Sequence, residues 1–278
     1  MQLYPIITDK FKLDGGACFG VVPKTIWCRE SIPDENNMIE VVNRCLLIKT
    51  SEKLILIDAG IGNKQDEKYL KYFYLNSDYS LEKSFKELGF SFDDVTDLII
   101  THLHFDHIGG ALTIENNEIV PTFKNANYWI SKKQWDMSFN PNIREKASIL
   151  KENIEPLNNY KLLKLIEKET FIDENILLKF SYGHTEGQII TYMKNNDKTF
   201  VYTADFIPSA FHIHLPVVAS YDNNPLLAIS EKEAFLNEAV NNNYILIFEH
   251  DLNNECCYIQ KTEKGYKMKE PLLIKNLI

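Results

Sequence analysis

No apolar stretch of this 278-residue chain approaches the roughly 20 residues that a bilayer-spanning helix needs. The residues Met1-Gln2-Leu3-Tyr4-Pro5 lack the basic segment and apolar core of a secretory leader, so none is expected. Cysteine is scarce: Cys18, Cys28, Cys45, Cys256 and Cys257 are odd in number, form no CxxC pair, and include an adjacent couple ill-suited to a disulfide. Buried free thiols in a reducing compartment are the expectation, and with them a cytoplasmic location. No basic tract offsets the net charge of −9, which argues against a nucleic-acid partner; no membrane partner is expected either. The stretch from Gly15 to Lys24 is glycine-rich but has neither GxGxxG nor GxxxxGK spacing, so it is no phosphate cradle. Repeats, low-complexity tracts and linkers are also missing. With a hydrophobic fraction of 45%, enough for a core, one domain over residues 1–278 is the economical reading.

What is present is concentrated in Thr101-His102-Leu103-His104-Phe105-Asp106-His107-Ile108-Gly109-Gly110. Three of the chain's seven histidines fall here, beside an aspartate. In extended backbone, residues two apart share a side, so His102 and His104 can aim at one point. A turn closing on the two glycines would bring Asp106 and His107 back to the same place. Imidazole and carboxylate suit zinc and similar divalent metals. Further on, His184 lies between glycines after the apolar run Ile176–Phe180. Asp205 follows Thr199–Tyr202, and His250 follows Tyr244–Ile247. Ligand-type residues at strand exits can be held in place by a rigid sheet, and together they point to two metals.

The set His102-x-His104-x-Asp106-His107, His184, Asp205 and His250 resembles the ligand set of the metallo-β-lactamase-fold hydrolases. Leu54-Ile55-Leu56-Ile57-Asp58-Ala59-Gly60 resembles that superfamily's strand with Asp-Gly, and Leu98-Ile99-Ile100 its strand into the histidine motif. The resemblance implies an α/β fold, an αββα sandwich of two mixed sheets flanked by helices. It also implies two divalent ions per chain. Zinc is expected first, with Mn2+, Fe2+ or Co2+ as alternatives. His102, His104 and His184 would hold one ion, Asp106, His107 and His250 the other, with Asp205 bridging. A paired site of this kind supplies hydroxide at neutral pH and polarises a carbonyl or phosphoryl oxygen. Asp106 is expected to be catalytic as well as a ligand, handling the proton that passes to the leaving group. Asp58 is expected to anchor a ligand or the motif loop from behind.

A second group of segments is similar to the YtnP-like, quorum-quenching-lactonase branch. These are Asp14-Gly15-Gly16-Ala17 with Phe19 to Lys24, Asn140-Pro141-Asn142-Ile143-Arg144, Ala204-Asp205-Phe206-Ile207-Pro208, and His212 with Tyr221-Asp222. In the acyl-homoserine lactonases a tyrosine three positions after the bridging aspartate helps polarise the lactone carbonyl. Pro208 stands there in this chain and has no donor, so either His212 (the first candidate) or Tyr221 takes that place, or the metals act without it, or the substrate is not that lactone. Phe19, Trp27, Phe105 and Phe206 are candidate walls for an apolar substrate group. The reading is hydrolysis of a small-molecule lactone or carboxylic ester. Phosphotriester or glutathione-thioester hydrolysis on the same site is the first alternative, and a non-catalytic metal-stabilised binding or signalling protein the second. Lys261, Lys264, Lys267 and Lys269 read as a solvated strand edge. A homodimer is allowed for.

Hydrophobic periodicity predicts strands at Gly16–Val22, Ile39–Lys49, Lys53–Ile57, Ile176–Phe180, Gln188–Met193, Lys198–Tyr202, Tyr244–Phe248 and Cys257–Thr262. Turns are expected at Thr50-Ser51-Glu52 and Asn195-Asn196-Asp197. Helices are predicted at Leu81–Leu88 with Gly89 as stop, at Ser131–Met137, at Pro141–Ile166 with an interruption near Pro156, and at Ser230–Val240 with a Ser230/Glu233 capping box. The aromatic-rich segment Ile61–Tyr79 reads as an outer helix, with a lid or dimer contact as the alternative.

Overall fold

The computed structural model describes residues 1–76 and 78–278; Ser77, within the Ile61–Tyr79 segment, lies outside the described residues. The chain forms two compact units, Met1–Phe11 with Asn43–Glu167, and Lys12–Val42 with Lys168–Ile278. Each is organised on a mixed sheet.

Six strands run side by side in the order Gln2–Asp14, Met38–Lys49, Leu54–Ile57, Asp97–Ile99, Asn127–Ser131, Leu163–Ile166. The run Leu54-Ile55-Leu56-Ile57 is apolar at every position because both its faces are covered. It pairs antiparallel with Met38–Lys49 and parallel with Asp97–Ile99. Two further parallel pairings complete this part of the sheet. Cys45, Leu47, Leu56, Leu98, Tyr128 and Ile130 form the centre of this unit's core. Helix Leu81–Leu88 lays Phe85 on it. Ser80 caps its start, and Gly89, at φ 77°, ends it in the left-handed conformation that glycine permits.

The second sheet runs in the order Gly265–Leu272, Cys256–Thr262, Ile245–Ile247, Lys198–Tyr202, Gln188–Asn195, Ile176–Ser181, Thr170–Asp173. Its single parallel pairing joins Lys198–Tyr202 to Ile245–Ile247, and a parallel pair needs a crossover. Helix Pro225–Asn241 provides it, burying Ala228, Lys232, Phe235, Leu236 and Ala239 along one stripe. Lys267 and Lys269 lie exposed on the edge strand, in the solvated arrangement expected of them. Among the described residues, no helix is long and apolar enough to cross a membrane.

Four expectations of local structure are corrected. Gly16–Val22 is not a strand: Gly15–Phe19 is a short helix, because the Asp14 carboxylate accepts the Ala17 N–H at 2.9 Å. Pro141–Ile166 is not a helix. It breaks into turns, 3-10 segments at Lys151–Asn153 and Glu155–Asn159, and the strand Leu163–Ile166. The helix predicted at Ser230–Val240 starts at Pro225, where Asn224 accepts the Leu227 N–H at 3.1 Å and proline occupies the first turn; Ser230 is interior. Among its described residues, Ile61–Tyr79 holds the one-turn helix Glu67–Leu70 and the turn after it rather than a continuous helix. The strands Gln2–Asp14, Asn127–Ser131, Thr170–Asp173 and Gly265–Leu272 and the hairpin Leu112–Glu115/Glu118–Pro121 lie outside the predicted strands, although Lys10-Phe11-Lys12-Leu13 and Tyr266-Lys267-Met268-Lys269 alternate polar with apolar residues.

Candidate metal centre

In the first unit, strand Asp97–Ile99 ends and the chain stays extended to His104. It then makes one helical turn, Phe105–Ile108, and a 3-10 turn, Gly109–Ala111. The extended part sets His102 Nε2 3.0 Å from His104 Nδ1, with the rings nearly perpendicular at 81°. The helical turn brings the His107 ring to 3.9 Å from that of His102, centre to centre. It also sets Asp106 Oδ1 3.8 Å from His107 Nε2. All four side chains are buried.

Asp58 sits at the exit of Leu54–Ile57 in the left-handed region, φ 56°, a strained position for a residue with a Cβ. Its buried carboxylate accepts the Thr101 N–H (2.8 Å), the Thr101 hydroxyl (2.7 Å) and His107 Nδ1–H (3.0 Å). The motif backbone is gripped along its length. Leu103 N–H donates to Gln134 Oε1, Asn43 Nδ2 donates to the Asp106 carbonyl, and Ala59 N–H donates to the His107 carbonyl. A Cβ on Gly109 would lie 1.8 Å from the Ile61 carbonyl oxygen, so only glycine fits that crossing. Behind Asn43, Asp9 accepts from Ile61 N–H and Thr8 Oγ1. Burial, with a smaller contribution from the charge of Asp106, pushes its carboxyl above the usual range against those hydrogen bonds. Asn43, Asp9 and Gln134 escaped the sequence reading. For Asn43 the signal was a polar residue inside the apolar strand Val41–Ile48.

In the second unit, His184, Asp205 and His250 each follow a strand end. Ala204, at φ 45°, turns the chain so that Asp205 faces both histidines. Asp205 Oδ2 is 3.3 Å from His184 Nε2, and Oδ1 is 2.9 Å from His250 Nε2. His184 Nδ1–H donates to Asp222 Oδ1 at 2.7 Å and His250 Nδ1–H to the Val42 carbonyl at 2.9 Å. Since Nδ1 carries the proton in each neutral ring, Nε2 presents a lone pair. In that neutral form two lone pairs would face two carboxylate oxygens in a buried place, an opposition that bound cations would relieve. The donor set therefore fits divalent metal. Glu249 also offers a ligand atom within 4.8 Å of those of Asp205 and His250, a carboxylate the sequence reading passed over.

The loop before His184 is fixed by the segment after Tyr221. Glu231 accepts Tyr182 N–H and Gly183 N–H at 3.0–3.1 Å, and Asn223 N–H donates to the His184 carbonyl. Beside His250, a cavity of about 460 Å³ opens in this unit. Phe19, Phe211, Ile39, Val41 and Met268 give it an apolar wall, Tyr221 and His212 a polar one, and Arg29 and Lys267 line it where they are solvent-exposed. Tyr221 stands edge-on to His184, 5.9 Å between ring centres.

His212 cannot supply the donor that Pro208 lacks. Its Nε2–H is committed to the Cys18 carbonyl (2.9 Å), and its Nδ1 accepts from Ser209 Oγ (2.7 Å). Burial pulls its pKa down to about 4, so the ring is neutral. Phe19 lines the cavity, while Trp27 packs behind it at 5.4 Å and against Gly15. Phe206 packs on Phe235 in the core. Phe105, in the first unit, packs with Tyr69 and Phe73.

A metallo-beta-lactamase superfamily profile matches residues 39–250. An N-acyl homoserine lactonase of Bacillus cereus is 23% identical over 232 residues, covering 79% of this chain and 85% of that protein. The crystal structure of a probable metal-dependent hydrolase from Staphylococcus aureus superposes with a TM-score of 0.86 at 28% identity, covering 98% of both chains. AidC, a dizinc quorum-quenching lactonase in complex with a product, superposes with a TM-score of 0.76 at 24% identity over 98% of this chain and 94% of its own. With its two mixed sheets and helices in the metallo-β-lactamase fold, the chain belongs to the metallo-beta-lactamase superfamily of metallo-hydrolases.

Proposed function

We propose that the chain, acting as one hydrolase unit, is a dinuclear metal-dependent lactonase or carboxylic esterase. His102, His104 and His184 would hold one ion and Asp106, His107 and His250 the other, with zinc as the expected metal. The observation that carries this reading is Asp205, whose two oxygens face two different histidines, each held at its far nitrogen by a separate acceptor. A carboxylate so disposed could serve two ions, and a hydrogen-bonded far nitrogen is how ligating histidines are held. Bound ions of this kind supply an activated water at neutral pH and polarise the carbonyl under attack.

The chain's own groups do the rest. Asp106, whose backbone carbonyl accepts from Asn43, would take the proton of the attacking water and pass it to the leaving alkoxide. Tyr221, on the wall shared with His250, would serve the substrate carbonyl as donor in the place that Pro208 leaves without one. The cavity volume falls in the usual range for small-molecule sites. Its apolar wall suits an acyl chain and offers only about 1–3 kcal/mol of discrimination per methylene, so broad chain-length tolerance is expected. Similarity to homoserine lactonases supports the lactone side of the reading.

The test is metal analysis followed by turnover of lactones of graded acyl length, aryl esters, phosphotriesters and glutathione thioesters. Two ions per chain, and lactone or ester hydrolysis with KM varying more than kcat, are expected. A metal-replete enzyme that ignores lactones and esters but cleaves phosphotriesters or thioesters overturns the substrate assignment.

A further inference from the structure

The turn Asn142–Ile149 of the first unit packs against the histidine motif without contributing a ligand. Phe105 N–H donates to the Ser148 carbonyl at 2.8 Å, and the Tyr69 hydroxyl donates to the Ala147 carbonyl at 3.2 Å. Inside the turn Asn142 Oδ1 accepts Arg144 N–H and Glu145 N–H, and Asn142 Nδ2 donates to Glu145 Oε2 at 2.6 Å. The Glu145 side chain is only 2% exposed, and its other oxygen, Oε1, lies 3.5 Å from His104 Nε2. A buried carboxylate is costly unless a donor or cation faces it. The turn's backbone is already closed by the Asn142 side chain, so shape alone does not call for an anion there.

The candidate ligand histidines of each unit share one arrangement, a held nitrogen and a presented one. Asp58 holds His107, Asp222 holds His184, the Val42 carbonyl holds His250, and the Thr101 hydroxyl lies 3.1 Å from His102 Nδ1. In all four the held atom is Nδ1. His104 is reversed: its Nδ1 is the atom next to His102 Nε2, and its Nε2 points to Glu145. We infer that Glu145 is the positioning residue for His104, keeping the ring in its Nε2–H form so that Nδ1 is the atom offered to the metal. The inference rests on the metal-binding reading proposed above. The 3.5 Å separation is longer than a hydrogen bond, so the Glu145 charge acts on the Nε2–H electrostatically. A cation on Nδ1 makes the Nε2–H more positive, so the anion opposite strengthens the ligand as well as aiming it.

The experiment is cobalt(II) titration of wild type, Glu145→Gln and Glu145→Ala, followed by chelator competition and visible absorption, with thermal midpoints of the metal-stripped proteins alongside. Wild type should take up two ions. Both variants should lose 10–100-fold in affinity for one ion with a changed visible spectrum, Glu145→Gln less than Glu145→Ala, while the metal-stripped midpoint of Glu145→Gln stays at the wild-type value. Wild-type affinity and spectrum in both variants would overturn the role of Glu145 while leaving the metal centre standing. A loss of affinity accompanied by an equal loss of metal-free stability in both variants would reduce Glu145 to a turn residue. Failure of wild type itself to bind cobalt would instead remove the metal reading beneath it.

Discussion

The two halves of the ligand set are held in opposite ways. In the first unit four ligand candidates share one short motif, and the supports grip its backbone at Thr101, Leu103, Phe105, Asp106 and His107. Moving one support moves several ligands. In the second unit three candidates come from three strand ends, and each ring is held by its own acceptor. Asp205 connects the two histidines. A contiguous motif gains precision through shared backbone restraint, whereas scattered ligands gain it one hydrogen bond at a time.

The largest effect should come from cutting that connection. Asp205→Ala removes the oxygen facing each histidine, and metal content should fall below one ion per chain with turnover down by about 1,000-fold or more. Asp106→Asn belongs to the shared motif but keeps its fold. It should retain part of the metal and still lose about 100-fold in kcat, because the amide cannot take a proton. Elemental analysis beside steady-state kinetics separates the two. If both variants lose metal in equal proportion, Asp106 is a ligand without a proton-handling role.

The next contrast compares one support from each unit. Asp58→Asn places an NH2 group against Thr101 Oγ1–H and His107 Nδ1–H, two donors that the carboxylate now accepts. It should cost about 100-fold in metal affinity and about 1–3 kcal/mol of metal-free stability. Asp222→Asn can still accept from His184 Nδ1–H through its amide oxygen, so about 10-fold in affinity with little change in stability is expected. Chelator competition and calorimetry of the stripped proteins measure both. Equal penalties for the two would remove the distinction between shared and separate support.

The same distinction explains what could be read in advance. The candidate ligand residues and most central strands stand out locally, because ligand-type side chains and apolar runs leave a local mark: Leu54–Ile57 and the His102–His107 motif can be read from neighbours alone. The helix Leu81–Leu88 was equally plain, its spacing and Gly89 agreeing. Glu145, Asn43, Asp9 and Gln134 were not, because each acts on a partner far away in sequence and looks like an ordinary polar residue in its own window. Gly15–Phe19 failed since glycines with flanking apolar residues fit a strand pattern equally well, although Asp14 ahead of them was a usable cap signal. The Asn224-Pro225 pair likewise marked the true start of the crossover helix before Ser230 did. Pro141–Ile166 misled because its apolar spacing serves 3-10 turns and an edge strand, which periodicity does not separate from a helix.

The smallest effect tests what sets a structural histidine apart from a ligand one. His212 has both nitrogens occupied by protein atoms, Cys18 carbonyl and Ser209 Oγ, and burial holds its pKa near about 4. An unfolded chain titrates this residue near 6.5. Between pH 6.5 and 4 the unfolded state therefore binds a proton that the folded state refuses, and stability must fall as pH falls through that window. Above 6.5 both states are neutral and the contribution is full and constant. The ceiling is on the order of 3 kcal/mol at pH 4, and about 2 kcal/mol should already be lost by pH 5. His212→Gln, whose amide can still donate toward the Cys18 carbonyl, removes the titration. Its stability deficit relative to wild type should shrink by about 2 kcal/mol between urea unfolding at pH 7.5 and at pH 5, and its metal content at pH 7.5 should match wild type. A deficit that stays the same at both pH values would mean that His212 is not held neutral. Loss of metal in the variant would instead move His212 from the structural to the ligand side of the comparison.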